Sequence, residues 1–244
     1  MTTFQAIQLT CPSCQQPMGH YELTSYFIYR STVYSDGKIE HDGSFFEDKT
    51  IVVCPHCEGV FWRDEAKEKE IEYQDDQPEL PFSKSVWDIE IARSEDFRKG
   101  MVLYYKQLLE TGFANTTQRE IYLRITLWRA INDIIRYQRP FLKSIDSFAF
   151  KKPLLVFIKS RFSTCRTYRY FKPDQLGNLL RLTTIFSPVT DDDRLMLAEM
   201  YREMGNRSKA LEILNNIKNE SGAAYRKIKK ATLLFRKRVF ILGK

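Results

Sequence analysis

Four of the five cysteines in this 244-residue chain stand in two Cys-Pro-x-Cys pairs, Cys11-Pro12-Ser13-Cys14 and Cys54-Pro55-His56-Cys57. In such a knuckle the backbone curls so that two sulfurs converge on one point, and a second knuckle completes a closed shell of four thiolates around a metal ion. Proline after the first cysteine favours the tight turn, and Gly59 eases the chain past the second knuckle. Each pair follows a strand-like run, residues 4–10 and 50–53. The expected ion is one structural zinc held by Cys11, Cys14, Cys54 and Cys57. A thioredoxin-like redox pair would instead have one Cys-x-x-Cys opening a helix, and a catalytic zinc would keep a position open for water. His56 sits inside a knuckle and is expected to point outward, while His20 and His41 could substitute for a cysteine but four thiols are already present.

The two knuckles resemble the zinc-ribbon family over residues 11–62, with the ligand positions matched by the four cysteines. One departure stands out: 39 residues lie between Cys14 and Cys54, whereas ribbons commonly have roughly 15–20. Asp36-Gly37 and Asp42-Gly43 mark tight turns within that surplus, which reads as an enlarged β insert.

Beyond the knuckles the chain offers little to catalysis. All three histidines lie at or before position 56, so the rest of the chain lacks the commonest general base. Dinucleotide, Walker, GxSxG and HExxH motifs are all missing from the sequence. Asp191, Asp192 and Asp193 open a strongly helical run, where carboxylates complement the helix N-terminus. The protein is therefore expected not to be an enzyme.

Charge divides the chain. Residues 1–92 hold 7 Lys/Arg against 17 Asp/Glu, a balance of −10, and residues 93–244 hold 31 against 14, a balance of +17; together they give the net +7. A basic half of this strength suits the chain's own acidic half, nucleic acid or an anionic surface. Between Arg139 and Arg181 ten basic residues interleave with aromatics, and residues 222–244 carry eight and no acid. Lys229, Lys230, Arg236 and Lys237 mark a candidate RNA- or DNA-binding surface. The amphipathic stretch Tyr225–Phe240, read as a last helix, would suit either the cap of a helical stack or an anionic leaflet. No run approaches the ~18 apolar residues of a membrane span, and the N-terminus does not read as a secretory signal. Reduced thiols predict a cytoplasmic setting, with Cys165 left as a small buried hydrophobe or spare thiol.

The periodicity after residue 93 is helical. Met101, Tyr104, Tyr105 and Leu108 share a face ahead of a stop at Gly112. Thr117-x-x-Glu120 fits a capping box for a second helix carrying Ile121, Ile125, Trp128, Ile131 and Ile135. Residues 141–186 predict two or three shorter helices divided by Pro153 and Pro173. Thr190-x-x-Asp193 caps a helix to Met204, Gly205-Asn206 turns the chain, and Ser208–Lys218 returns. No strand is expected after residue 93. Residues 191–219 resemble a tetratricopeptide repeat: Ala198 and Ala210 permit close helix approach, Tyr201 and Leu214 fill the space beside them, and Gly205 takes the turn.

Together, knuckles and repeat resemble bacterial proteins that join a zinc ribbon to tetratricopeptide helices. That resemblance implies a cytoplasmic, scaffold-like protein and supplies no substrate. The expected fold is α+β: a small β zinc ribbon with its insert at 1–66, an acidic linker at 67–92, and a basic all-α domain with tetratricopeptide-like antiparallel packing at 93–244. The first part of the acidic run 63–81 could extend as a helix, and residues 75–81 read as linker. The expected role is that of an adaptor binding a protein partner.

Overall fold

A computed structural model describes residues 3–25, 28, 30–41, 50–70, 80–83, 95–136, 153–218 and 222–243. Among the described residues, antiparallel strands dominate the N-terminal part and six α-helices follow. No helix among the described residues is long and apolar enough to cross a membrane. The chain divides into two compact units, and the division does not follow the chain order. One takes residues 1–30 and 41–92; the other takes 31–40 together with 93–244.

In the first unit β1 (Thr3–Thr10) lies between β2 (Pro17–Ser25) and β7 (Lys67–Glu70), antiparallel to both. Alternation puts Ile7, Leu9 and Cys11 on one face of β1. They form a core with Met18, Val52, Cys54 and Phe61. A two-stranded hairpin, β5 (Ile51–Val53) with β6 (Val60–Trp62), supplies Val52 and Phe61. The acidic run 63–81 differs from expectation at its start. Arg63–Glu65 is one 3-10 turn rather than the start of a helix, and Lys67–Glu70 is strand β7. The alternating Lys-Glu-Lys-Glu pattern suits an edge strand, and Arg63 pairs with both Glu68 and Glu22 on the same sheet. Leu80–Ser83 returns along β2, where Phe82 stacks on Tyr21 at 4.3 Å between ring centroids. Residues 71–79 lie outside the described residues.

The second unit contains α1 (Glu95–Glu110), α2 (Thr117–Arg136), α3 (Pro153–Ile185), α4 (Asp191–Met204), α5 (Arg207–Asn215) and α6 (Ala223–Leu233). Trp128, Leu179, Leu182 and Met200 join α2, α3 and α4. Ala198, Leu214, Ile217, Tyr225 and Ile228 join α4, α5 and α6. Gly112 and Gly205 stop α1 and α4 as expected, each with positive φ. The Thr190–Asp193 capping box is present in full. At α2 the cap is Thr116, one residue before the expected Thr117: its hydroxyl accepts from the Arg119 N–H. Glu120 is consequently released from capping and binds Arg124 and Arg181 instead, tying α2 to α3.

Three further expectations are corrected. Residues 153–185 form one helix, not several. Pro153 occupies its first turn, where a missing N–H costs nothing, and the exposed Pro173 is carried inside it. Residues 137–152, which held the rest of that reading, lie outside the described residues. The last helix ends at Leu233 rather than Phe240, because the backbone turns left-handed at Phe235. There is also a strand after residue 93: β8 (Ile241–Gly243) pairs with β3 (Ser31–Tyr34).

That last pairing explains why 31–40 belongs to the second unit. Strands β3 and β4 (Ile39–His41) turn at Asp36-Gly37, as the sequence predicts, with Gly37 at φ 73°. A side chain at Gly37 would also crowd the Arg129 guanidinium, at 3.2 Å from a Cβ. Asp42-Gly43, the other expected turn, lies outside the described residues. At the Asp36-Gly37 turn, Ser35 and Asp36 are buried while Gly37 is exposed. Asp36 is fully buried, pairs with the equally buried Arg136, and accepts from Asn132 Nδ2 at 3.0 Å. Asn132 donates onward to Glu203 on α4, which also accepts from Trp128 Nε1 at 2.8 Å and Gln175 Nε2 at 3.0 Å. Burial, with the charges of Glu199 and Asp36 nearby, pushes the Glu203 carboxyl well above the ordinary carboxylate range, against the pull of Arg202 and the Trp128 N–H. Lys38 reaches Asp133 at 2.8 Å, and Ser35 exchanges hydrogen bonds with Phe240.

Removing one member of a buried ion pair leaves the other charge stranded, so Asp36→Ala should destabilise the helical unit by about 3–5 kcal/mol. Urea unfolding followed by circular dichroism measures this, and Asp36→Ala with Arg136→Met together should cost less than the sum of the single changes. A second expectation concerns pH. Hydrogen bonds from Arg181, and then Arg124, hold Glu120 down at about 2, against the opposing effect of burial. The folded value lies below the ordinary one of 4.5, so this contribution is complete above about pH 4.5 and disappears as pH falls toward 2. In Glu120→Gln, the part of the acid-induced stability loss that falls in this window should be absent from thermal melts.

Candidate metal centre

Each knuckle is the turn of a β-hairpin. Cys11 and Cys14 sit between β1 and β2; Cys54 and Cys57 sit between β5 and β6. The two turns are built alike. In the first, the Cys11 N–H donates to the Gln16 carbonyl and the Gln15 N–H to the Cys11 carbonyl. In the second, the Cys54 N–H donates to the Gly59 carbonyl and the Glu58 N–H to the Cys54 carbonyl. The fifth residue of each turn, Gln15 at φ 58° and Glu58 at φ 57°, is left-handed. Two non-glycine residues held this way at matching positions show that the tertiary structure, not local preference, sets the shape of both knuckles.

The four sulfurs converge, all within 4.8 Å of one another. Cys11 Sγ lies 3.8 Å from Cys57 Sγ, and Cys14 Sγ lies 3.7 Å from Cys54 Sγ. Four thiolates bound tetrahedrally at about 2.3 Å from a metal stand roughly 3.8 Å apart, so these two contacts already have the edge length of a tetrahedron. Cys11 and Cys54 are buried at the end of the β core, Cys14 is half-buried and Cys57 is exposed. A Cβ on Gly59 would come within 3.2 Å of Cys57 Sγ, which gives the small residue there a steric reason.

The surroundings treat the sulfurs unequally, favouring the charged form of Cys11 and disfavouring that of Cys14 and Cys54. Burial works against ionising Cys11, yet N–H groups of Cys14 and Ser13 bring its thiol down to about 7. Cys14 receives the Gln16 N–H, but burial and the adjoining sulfurs of Cys11, Cys57 and Cys54 push it up to about 12. Burial raises Cys54, opposed by N–H donors from Cys57 and His56. The pattern is that of crowded thiols, which cannot all ionise without a cation among them.

The histidines stand apart from the cluster. His56 is exposed and its Nε2 meets the Pro17 carbonyl at 3.0 Å, linking the second knuckle to the first hairpin. His20 is buried and bonded through Nδ1 to Ser83 at 3.0 Å. Among the described residues the four cysteines are the one cluster of His, Cys, Asp or Glu with metal-binding geometry. The side chain of Cys165, on α3, is outside the described residues. The paired left-handed residues and the His56 link went unseen in the sequence, where Gln15 and Glu58 carry no signal of an unusual backbone.

Comparison with family models, curated proteins and solved structures gave no match for this chain.

If the four sulfurs act as one ligand set, Cys54→Ser, at the buried end, should abolish tight binding of a divalent metal. Cobalt titration of the wild type should saturate at one equivalent with the visible bands of a tetrahedral thiolate complex, and those bands should be missing in the variant.

Proposed function

We propose that this is a non-catalytic adaptor, with one structural zinc in its β unit and a helical surface that binds a protein partner. The observation that carries the reading is the closure of the metal centre. Four protein sulfurs lie within 4.8 Å of one another, two pairs of them at the edge length of a tetrahedron, and together they would fill every position of a tetrahedral ion and leave none for water or substrate. Zinc is the ion that an all-thiolate tetrahedral set selects most readily in a cytoplasmic protein, the location this reading assigns. An ion in this position would return roughly 10–16 kcal/mol of binding energy to a small β core. The N-terminal hairpins accordingly fit a zinc ribbon.

The helical half is read as a tetratricopeptide-like scaffold. Ala198 on α4 and Ala210 on α5 are both fully buried, and the two helices are joined by a turn at Gly205. Small residues facing one another let paired helices approach closely. Scaffolds of this kind bind peptides along their open faces, and residues 93–244 carry the excess positive charge that an acidic partner segment would meet.

A second reading, RNA or DNA binding, has a specific support. Of the four marked cations, Lys230, Arg236 and Lys237 are exposed, whereas Lys229 is half-buried and donates to the Tyr225 hydroxyl at 2.7 Å.

Elemental analysis of freshly purified protein should find one zinc per chain. Stripping it with a chelator should unfold the β unit while leaving the helical circular-dichroism signal. Affinity purification with and without nuclease then separates the two roles. A partner that survives nuclease supports the adaptor; partners lost with the nucleic acid, together with binding weakened by charge reversal at Lys230, Arg236 and Lys237, replace it with the second reading.

A further inference from the structure

The turn after α6 has a construction that neither metal binding nor helix packing requires. Leu233, Leu234 and Phe235 follow one another in the chain and are 46%, 51% and 67% exposed. Three adjacent large apolar side chains in water form a patch that packing does not account for. Phe235 stands moreover at φ 54°, the position just past the helix end where glycine is the usual choice. The backbone there is firmly held. Phe235 N–H donates to the Thr232 carbonyl at 3.2 Å and Arg236 N–H to the Ala231 carbonyl at 3.0 Å, the paired bonds of a Schellman turn.

A buried arginine fixes the rest. Arg202 on α4, bound to Glu199 at 2.6 Å, donates to the backbone carbonyls of Arg236 and Arg238. The Arg207 guanidinium lies over one face of the Phe235 ring, 4.4 Å from its centroid. The turn therefore displays its apolar side chains on a rigid base and keeps an aromatic where glycine would relieve the backbone.

The charge along this segment is of one sign. Arg236, Lys237 and Arg238 follow the apolar triplet and are exposed, as are Arg226 and Lys230 on the helix leading into it. No acidic residue occurs from Ser221 to Lys244. Aliphatic tips with a cationic collar match a surface that is hydrocarbon beneath and anionic above. Single-stranded nucleic acid would match the collar but has no use for two leucines, which offer bases no π-face. We infer that the Leu233–Arg238 turn is a docking element for an anionic phospholipid bilayer, with Leu233, Leu234 and Phe235 entering the interface and the basic residues meeting headgroup phosphates. This attachment is independent of the adaptor reading and differs from an amphipathic helix lying flat, because the inserting residues sit on a turn.

The test is co-sedimentation of the full chain with phosphatidylcholine vesicles, with and without phosphatidylglycerol. The wild type should pellet only with the anionic vesicles. Phe235→Gly should lower the partition coefficient about tenfold, while its thermal midpoint is unchanged or raised because the left-handed residue is relieved. Should that variant fold poorly, Phe235→Trp supplies the second measurement: its emission should shift to the blue with anionic vesicles. The inference is overturned if the wild type stays in the supernatant, if folded Phe235→Gly pellets as the wild type does, or if the Trp emission does not move. Binding of a single-stranded oligonucleotide that depends on Phe235, without vesicle binding, would assign the turn to nucleic acid and overturn it equally.

Discussion

Convergence of two distant knuckles on one point is the constraint from which the rest of the chain's organisation follows. Thirty-nine residues separate Cys14 from Cys54, and both cysteine pairs must meet at the end of one β core. The intervening chain therefore has to leave and come back, and its middle, Ser31–Glu40, is spent in the helical unit. Three chain crossings connect the two units, after residues 30, 40 and 92, where a simple two-domain protein would have one. The insert that looks like decoration on a ribbon is in physical terms a piece of the other unit's core.

What holds that piece is polar. The Asp36 turn could have been seated by a hydrophobic plug, but it is anchored by a carboxylate against Arg136 and a chain of amides leading to Glu203. Buried networks of this type give modest net stability and high selectivity, because any other placement strands a charge. A hairpin that must find one site among several helices gains from this. The Arg136 guanidinium lies in addition over the Tyr34 ring, 4.2 Å from its centroid, so the same cation fixes both the strand and the turn.

The parts legible in the sequence are those governed by local rules. Cysteine spacing, the Thr190–Asp193 cap, the Asp36-Gly37 turn and the glycine stops at 112 and 205 each depend on residues within a few positions of one another. The misplaced features all depend on distant partners. Lys67–Glu70 becomes a strand because β1 offers an open edge, although its composition suits a helix equally well. Phe235 ends α6 because Arg202 holds the following carbonyls, a contact 34 residues away that no helical periodicity contains. Pro173 passes for a breaker in a sequence reading, whereas a helix packed along one side tolerates a lost hydrogen bond on its exposed side.

The pairing of β3 with β8 bears on how the chain can assemble. Ser35 and Phe240, which bond across that seam, are 205 residues apart. During synthesis the hairpin is finished long before its partner strand exists, and so is the acidic turn before the arginine that neutralises it. The turn waits a hundred residues for Arg136, and the strand edge stays open until β8 has been made. Contacts of such range form late and slowly. Closure of this seam consequently comes only after every element between β3 and β8 has been made.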